Sequence, residues 1–174
     1  MELFSEMPSR IQGFNLLELL ILIAVIGILT VTAVPAFINY LQTRRLVGAS
    51  EQLYYALQYA RSEAVKRNTT VYVSFQTGSN WCYGINANTT CSCNVANSCG
   101  LGSTQAPASG SISLAASGLT NNALHFEPNH GAANASSTLT FTASGPAISA
   151  SVKVGLLGNP FLCSSQITGY AACS

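Results

Sequence analysis

Hydrophobic residues form one uninterrupted block near the start of the chain. From Leu19 to Thr43 there is no formal charge, and most positions are aliphatic. About 20 helical residues cross the hydrocarbon core of a bilayer, which is roughly 30 Å thick. The block is therefore long enough to be a transmembrane helix. Glu18 stands at its edge, and because a carboxylate at mid-membrane costs on the order of 2.5–3.5 kcal/mol, such a residue usually serves a function.

Gly27 and Pro35 stand inside this apolar block. A proline in a helix interior removes one backbone hydrogen bond and clashes with the preceding turn, which costs about 3 kcal/mol. Thr30 and Thr32 are near enough along the chain to bond the freed carbonyls. The residues therefore predict a transmembrane helix that is kinked, with Gly27 and Pro35 as the positions of a helix break.

After Pro35 the pattern becomes amphipathic and stays helical. Glu63 and Arg67 are placed away from the apolar face as an i,i+4 ion pair, and Asn68 is the expected C-terminal stop. A single helix from Phe14 to Arg67 would be about 80 Å long. The apolar face recurs at helical spacing, at Leu46, Leu53, Leu57, Ala60 and Ala64.

From Thr70 onward the apolar positions alternate with a period of two, which indicates β-strands. Thr70–Gln76 and Trp81–Ile85 flank a turn of Thr, Gly, Ser and Asn, so they predict a β-hairpin directly after the helix. The predicted fold class is α+β, with a long N-terminal helix packed on one face of an antiparallel meander. Further short strands are expected at Ile112–Leu114, Ala123–Glu127, Thr138–Thr142 and Ile148–Val154.

Six cysteines lie behind a membrane-directing N-terminus, which indicates an oxidising compartment and a disulfide framework. The loop from Asn86 to Pro107 is rich in Asn, Thr, Ser and Gly, and a segment of this composition is disordered without cross-links. We expect Cys91, Cys93 and Cys99 to staple this loop and Cys82 to anchor it to the hairpin.

The pairing of the cysteines is not determined by the sequence alone. We expect Cys163 to pair with Cys173, closing a short C-terminal loop, and the other four to pair among themselves. A metal site built from Cys91, Cys93 and Cys99 is the less favoured alternative, because paired C-x-x-C spacing and a nearby His are absent. No metal ligand and no cofactor are therefore predicted.

Charges are sparse and lie mostly in the first part of the chain. There are seven Lys and Arg and six acids, all of them Glu, and after Arg67 only Glu127 and Lys153 are charged. Without Asp there is no Ser-His-Asp triad, and no phosphate loop or nucleophile elbow is present. His125 alternates with apolar strand neighbours and His130 lies in a turn, so both are expected to be structural. The sequence predicts a non-enzymatic protein with no catalytic residues.

Residues 1–13 form a short polar leader. An ordinary secretory signal combines a basic region, an apolar core and a small-x-small cleavage site. Val31-Thr32-Ala33 fits such a site, so one alternative is a signal peptide removed after Ala33. Two observations oppose it: Glu18 interrupts the start of the apolar core, and the helical pattern continues past Ala33.

The stretch Gly13-Phe14-Asn15-Leu16-Leu17-Glu18 resembles the prepilin (class III) signal of type IV pilins and type II secretion pseudopilins. The resemblance implies that a prepilin peptidase cuts between Gly13 and Phe14 and N-methylates Phe14. The family usually has Thr after this Phe, whereas the present chain has Asn15. The Glu that the family carries at the fifth mature position maps onto Glu18.

Glu18 and the new amino terminus are complementary in charge. An α-amine is largely cationic at neutral pH, and each charge in an apolar helix bundle needs a partner. The resemblance implies that Glu18 pairs with the terminal amine of a neighbouring subunit and sets the register of assembly. It also implies an alternative to the kink, in which the segment between Gly27 and Pro35 unwinds on assembly.

The resemblance also decides the expected orientation in the membrane. By charge counting, Arg10 alone on the leader side stands against Arg44 and Arg45 on the other, which would favour the opposite topology. In the family the peptidase acts on the cytoplasmic side. The resemblance therefore implies a single-pass protein of the bacterial inner membrane with its head in the periplasm, which later moves into an extracellular or periplasmic filament.

A second resemblance lies in the run from Ala60 to Asn68 with the following strand and Trp81-Cys82-Tyr83-Gly84-Ile85, which is similar to the GspH/FimT pseudopilin domain. It implies a pilin-like lollipop. The implied segments are a leader at 1–13, a transmembrane or filament-core helix at 14–38, an amphipathic helix half at 39–68, and a disulfide-stapled β head at 69–174.

These resemblances imply a minor pilin or pseudopilin, assembled into a type IV pilus near its tip or in its initiation complex. The implied partners are other pilin and minor pilin subunits, the prepilin peptidase, and the inner membrane before assembly. A type II secretion pseudopilin of the GspH kind is the alternative within this class. A FimT-like DNA-uptake receptor is the alternative from another class.

The DNA alternative depends on an arginine motif. DNA-binding members of the FimT-like group resemble one another in a Gly-Arg-x-Arg stretch before a late Cys. The matching stretch here is Gly158-Asn159-Pro160-Phe161, so both arginines are absent, at Asn159 and Phe161, and the nearest base is Lys153. A head with so few cations is not expected to bind DNA.

Overall fold

The structure, a computed structural model, describes residues 15–173 except for the side chain of Thr32. The predicted leader and the predicted cleavage-site residues Gly13 and Phe14 lie outside the described residues. Within that range one helix precedes eight strands. In chain order they are α1 (Leu16–Arg67), β1 (Val71–Gln76), β2 (Cys82–Ala87), β3 (Gly102–Gln105), β4 (Ile112–Ser117), β5 (Ala123–Phe126), β6 (Ser137–Ala143), β7 (Ser149–Val154) and β8 (Pro160–Cys163).

The contacts of the chain divide it into two compact units, of which the first ends at Ile38 and the second begins at Asn39. The described part of the first unit is helical from Leu16 onward, and its described side chains are exposed. Among the described elements, α1 is the one helix long and apolar enough to cross a membrane. The apolar surface of this unit is therefore not covered by the unit itself.

Pro35 lies inside α1, and the helix is unbroken from Leu16 to Arg67. The carbonyl that loses its helical donor because of Pro35 is that of Val31. Thr30 Oγ1 donates instead to the carbonyl of Gly27, at 2.9 Å. The segment between Gly27 and Pro35 is helical in this structure, and both the kink at Pro35 and unwinding on assembly stay predictions.

The C-terminus of α1 ends as the sequence predicts. Asn68 has a φ of 52°, a left-handed conformation that Asn tolerates better than most residues. Its N–H donates to the carbonyl of Val65, and the N–H of Thr69 donates to the carbonyl of Ala64. These two bonds form a Schellman cap, which satisfies carbonyls that the helix end would leave open.

The second unit contains two four-stranded antiparallel sheets, with the orders β3-β2-β1-β5 and β4-β6-β7-β8. The predicted hairpin is present as β1 and β2. The prediction of a single meander was wrong, because β4 pairs with β6 whereas β5 pairs with β1, where Leu124 lies opposite Val73. Asn121 and Asn122, both with positive φ, turn the chain between β4 and β5, so successive strands fall in different sheets.

The core of the second unit joins α1 to both sheets in one cluster of buried side chains. The Trp81 ring stacks on Tyr83 at 6.2 Å and meets Phe141 edge-on at 5.0 Å. Its Nε1 donates to the carbonyl of Ile112 at 3.2 Å, so the polar edge of the buried ring is satisfied. The predicted face of α1 is buried at every position, Leu46, Leu53, Leu57, Ala60 and Ala64.

Glu63 is buried, at 4% exposure, and not on the solvent side of α1 as predicted. The predicted partner is correct, since Arg67 Nε donates to Glu63 Oε2, and Lys66 Nζ adds a contact to Oε1 at 3.3 Å. The hydrogen bond from Arg67, reinforced by Lys66, lowers the pKa of Glu63 against the opposing effect of burial. Glu63 therefore lies at the edge of the buried face of α1, and its two cationic partners, Lys66 and Arg67, lie toward solvent.

All six cysteines are in disulfides, Cys82–Cys93, Cys91–Cys99 and Cys163–Cys173. The expected C-terminal pair and the expected pairing among the other four are both present. The cysteine loop (residues 88–99) covers the outer face of β1 and β2, where the N–H of Cys91 donates to Ser74 Oγ at 3.1 Å. This explains why Ser74 and Gly84 are buried although they face away from the main core.

Candidate functional site

Glu18 lies in the first turn of α1. Asn15 precedes the helix, and its Oδ1 accepts from the N–H of Leu17 at 3.4 Å while its carbonyl accepts from Glu18 and Leu19. Asn is a favoured N-cap because its side-chain oxygen satisfies a free N–H of the first turn. Asn15 therefore caps the start of α1.

The surroundings of Glu18 are apolar. Leu17, Ile21 and Leu22 are among the side chains that line a shallow groove of about 440 Å³ beside it. No residue between 15 and 173 forms an ion pair with Glu18. A carboxylate at the positive end of a helix dipole is favoured there. It nevertheless needs a cationic partner once lipid or protein covers the helix.

The predicted helix-break residues lie on the same exposed stretch as Glu18. Gly27 has no heavy atom within 4 Å of the position where a Cβ would stand, so no packing contact among residues 15–173 requires a glycine there. Contiguous exposed apolar surface of this size marks an interface with protein or membrane. This stretch can therefore bind a partner by burying apolar area and by one charge contact, at Glu18.

The two histidines of the head, His125 and His130, lie where the sequence predicts structural residues, on a strand and in a turn. His125, on β5, packs on Tyr72 at 5.0 Å between ring centroids, and its Nε2 lies 3.2 Å from Glu127 Oε1. His130 is exposed in the turn after β5. Residues 15–173 contain no group of three His, Cys, Asp or Glu side chains that could hold a metal ion.

Asn159 and Phe161, the positions of the missing arginines, flank Pro160 at the start of β8. Phe161 lies opposite Lys153 of β7 in the sheet register. The basic residue nearest to this position along the chain therefore also lies on the adjacent strand. Asn159 and Arg61 of α1 line the same groove.

Arg61 has no feature in the sequence that marks it as functional, and the fold gives it a defined position. Its Nε donates to the carbonyl of Gly131 at 3.1 Å, and its Nη2 contacts the carbonyl of His130 at 3.5 Å. It thus connects α1 to the turn after β5. The helical period places Arg61 beside the buried Ala60, but only the folded chain brings it to residues about 70 positions later.

Tyr170 connects the C-terminal disulfide loop to the helix. Its hydroxyl donates to Glu51 Oε1 at 2.5 Å. Burial, then the contact with the Glu51 carboxylate, raises the pKa of Tyr170 to about 12. The loop is also fixed to β8, because the N–H of Ser164 donates to the carbonyl of Ala171 at 2.9 Å.

The fold is that of a solved minor pilin. Two crystal structures of the type IV minor pilin FimU from Pseudomonas aeruginosa strain PAO1 are similar to this chain, with TM-scores of 0.53 and 0.54 and sequence identities of 20% and 19%. The matches cover 70% and 73% of this chain and 98% and 97% of FimU. No curated protein matches the sequence.

The family is established by the sequence itself. The model of the family described as type II transport protein GspH matches residues 49–158. That range runs from the amphipathic part of α1 to the turn before β8 and is more than half of the chain. The chain therefore belongs to the GspH family of pilins and pseudopilins.

Proposed function

We propose that this protein is a minor pilin, a non-enzymatic subunit that is held in the inner membrane by the first part of α1 and then assembled into a type IV pilus. The observation that carries the proposal is the exposed apolar helix with Glu18 in its first turn, on a chain whose second unit has its own core. A tip or initiation position fits a subunit with a distinctive disulfide-linked loop.

Processing is part of the same proposal. The leader at 1–13 is removed by a prepilin peptidase between Gly13 and Phe14, and Phe14 becomes the N-methylated terminus. The segments then are the core helix to residue 38, the amphipathic half to residue 68, and the β head beyond it, exposed to the periplasm. Asn15 supports this, because its capping bonds start the helix two residues after the proposed terminus.

Glu18 is proposed to bind the amino terminus of a neighbouring subunit. An apolar bundle excludes water, so an unpaired carboxylate costs several kcal/mol there and a cationic partner offsets much of that cost. Glu18 stands four residues after the proposed terminus, which corresponds to about one helical turn, so pairing between subunits requires an axial offset of about that length. This contact would fix the register while the aliphatic side chains supply the contact area.

The test of the assembly contact is Glu18→Ala in the full chain. We expect normal insertion into the inner membrane and loss of the protein from sheared filaments, measured by quantitative blotting of both fractions. Glu127→Ala is the matched control, because it removes a carboxylate that is exposed in the head. Recovery of Glu18→Ala in filaments at the level of the control would contradict the pairing model.

A type II secretion pseudopilin is the second candidate, and the description of the matching family favours it. The two candidates share the helix, Glu18 and processing, and they differ in the filament that takes up the subunit. Deletion of the gene distinguishes them: loss of surface pili with normal protein secretion supports the minor pilin, and the reverse result supports the pseudopilin.

A DNA-uptake receptor is the candidate from another class. Asn159 and Phe161 argue against it, because loss of two phosphate contacts leaves few cations in the head. A gel-shift titration at low salt tests it. Submicromolar binding that requires Lys153 would replace the present proposal with DNA uptake.

A further inference from the structure

A groove separates α1 from the turns that precede β6 and β8. It has a volume of about 740 Å³. A second groove of about 300 Å³ continues from it along β8 and shares Tyr54 and Pro160 with it. The lining residues that matter for binding are Tyr54, Gln58, Arg61, Lys66, His130 and Pro160.

The charged side chains of the larger groove are both cations, Arg61 and Lys66. His130 adds an imidazole, and no carboxylate lines this groove. Arg61 forms no ion pair within residues 15–173, since its described bonds go to the carbonyls of Gly131 and His130. Its charge therefore remains available at a half-buried position, where a charge-assisted hydrogen bond to a carboxylate is stronger than in open water.

The backbone beneath Arg61 holds the guanidinium in place. Gly131 and Gly158 both have positive φ, and a Cβ on Gly131 would stand 2.7 Å from Arg61 Cγ. A Cβ on Gly158 would stand 3.3 Å from Arg61 Nε. The two turns thus approach the arginine through backbone atoms. Arg61 is positioned by two elements, which is the arrangement expected of a built site.

Apolar surface adjoins these cations. Tyr54, Val65 and Pro160 form part of the larger groove, and Tyr55 and Phe161, which are 65% and 47% exposed, line the smaller one. Glu51 also lines the smaller groove, where its carboxylate accepts from the Tyr170 hydroxyl. Aromatic residues and Arg are enriched where proteins bind proteins. The surface therefore suits a polypeptide segment that offers an acid next to an apolar side chain.

We propose that this groove is the docking site for an acidic segment of a different pilin subunit, with a carboxylate on Arg61 and an apolar side chain against Tyr54 and Pro160. The proposal rests on the proposed function as a filament subunit. A second copy of this chain is a poor occupant, because the glutamates of its described head are already bonded: Glu51 to Tyr170, Glu63 to Lys66 and Arg67, and Glu127 beside His125.

Nucleic acid is also a poor fit for the groove. Duplex binding needs several phosphate contacts from clustered Lys and Arg. Arg61 and Lys66 are the Lys and Arg side chains that line the groove. The charge of Lys66 is offset by the buried Glu63, whereas Arg61 has no ion-pair partner within residues 15–173. One such cation beside apolar and aromatic side chains matches a carboxylate on a protein better than a phosphate backbone.

The test is photo-crosslinking in the full chain within cells that assemble filaments. A benzoylphenylalanine replaces Gln58, which lines the groove, and mass spectrometry identifies the adduct. We expect an adduct with a different pilin subunit, on a peptide that contains Asp or Glu. Arg61→Gln should reduce the adduct yield about fivefold, the effect of losing one charge-assisted contact at a half-exposed site.

Two further variants separate docking from folding. Arg44→Gln removes an arginine of the same helix that contacts Tyr40 and lies outside the groove, so it should leave the yield unchanged. Lys66→Gln removes a groove cation that is 76% exposed and whose charge is already offset by Glu63, so it should change the yield by less than about twofold. If Lys66→Gln lowers the yield as much as Arg61→Gln does, the effect comes from general positive charge or from folding and not from a contact at Arg61, and the proposal is overturned.

The other possible outcomes of the crosslinking experiment also test the proposal. Three results would each overturn the proposed docking site. They are an adduct yield that Arg61→Gln leaves unchanged, adducts on a segment without Asp or Glu, and adducts with a second copy of this chain. A DNA gel shift abolished by Arg61→Gln would assign the groove to nucleic acid instead. Absence of the wild-type chain from filaments would reject the proposed function, whereas its presence with an unaffected adduct yield rejects the groove alone.

Discussion

Gly84 illustrates how one residue in β2 permits the disulfide loop to pack. A Cβ at this position would stand 2.2 Å from Cys99 Sγ and 3.0 Å from Cys91 Sγ. We expect Gly84→Ala to displace the loop, to lower the free energy of unfolding by about 1–3 kcal/mol, and to impair formation of Cys91–Cys99. Urea unfolding and the mass of the alkylated protein measure the two effects.

The matched control for Gly84 is Gly48 of α1, where a Cβ meets nothing within 4 Å. Replacing a helical glycine with alanine favours the helix by up to about 1 kcal/mol, so Gly48→Ala should be neutral or stabilising. A Gly84→Ala protein with three intact disulfides and the stability of wild type would show that the loop does not depend on close approach to β2.

At the scale of the elements, the C-terminal loop is bonded to α1 by the Tyr170 hydroxyl, which donates to Glu51 Oε1. We expect Tyr170→Phe to lower the free energy of unfolding at neutral pH by about 0.5–1.5 kcal/mol, the usual contribution of one hydrogen bond. The pKa of Tyr170 is raised to about 12, above the ordinary value of about 10 in an unfolded chain. The folded state therefore holds this proton more tightly than the unfolded state does.

The sign of the pH dependence follows from that difference. The contribution of Tyr170 is complete below pH of about 10 and is lost as the pH rises toward about 12. In wild type, stability should fall across this alkaline window more steeply than in Tyr170→Phe, as measured by urea unfolding at stepped pH. Tyr72→Phe is the control, because Tyr72 packs on His125 by its ring. Equal alkaline slopes in wild type and Tyr170→Phe would rule out this linkage.

Elements built from local patterns were predictable from the sequence. The buried face of α1, its end at Arg67, the cap at Asn68 and the β1–β2 hairpin are all encoded within a few residues. The pairing of β5 with β1 was not predictable, because it joins residues about 50 positions apart and depends on which sheet edge is free. β3 and β8 were missed because Gly102–Gln105 and Pro160–Cys163 are short and do not alternate in polarity.

The residues of the candidate sites also differ in how far the sequence could predict them. Glu18 was found because a single acid beside an apolar block is conspicuous in any sequence. Arg61 was not, since its position on α1 resembles that of any surface arginine until Gly131 and Gly158 are folded against it. Glu63 shows the converse, because helical spacing gave its partner Arg67 but could not show that the fold buries the carboxylate.

At the scale of the whole molecule, the exposed apolar surface and the buried core belong to different parts of the chain. The core of the second unit begins at Leu46, and the first unit ends at Ile38. We therefore expect residues 39–174, produced in an oxidising compartment, to be a soluble monomer that unfolds cooperatively and has no free thiol. Light scattering, thermal unfolding and thiol alkylation measure these three properties.

The control for this head fragment is the same fragment with Leu53→Ala. Leu53 is fully buried on the face of α1 that packs into the core, and truncating a buried leucine costs about 2–5 kcal/mol. The variant should therefore unfold at a clearly lower temperature, which shows that the helix half is part of the cooperative unit. If the unmodified fragment aggregates or unfolds without cooperativity, the first unit contributes to folding. The apolar helix could not then serve assembly alone.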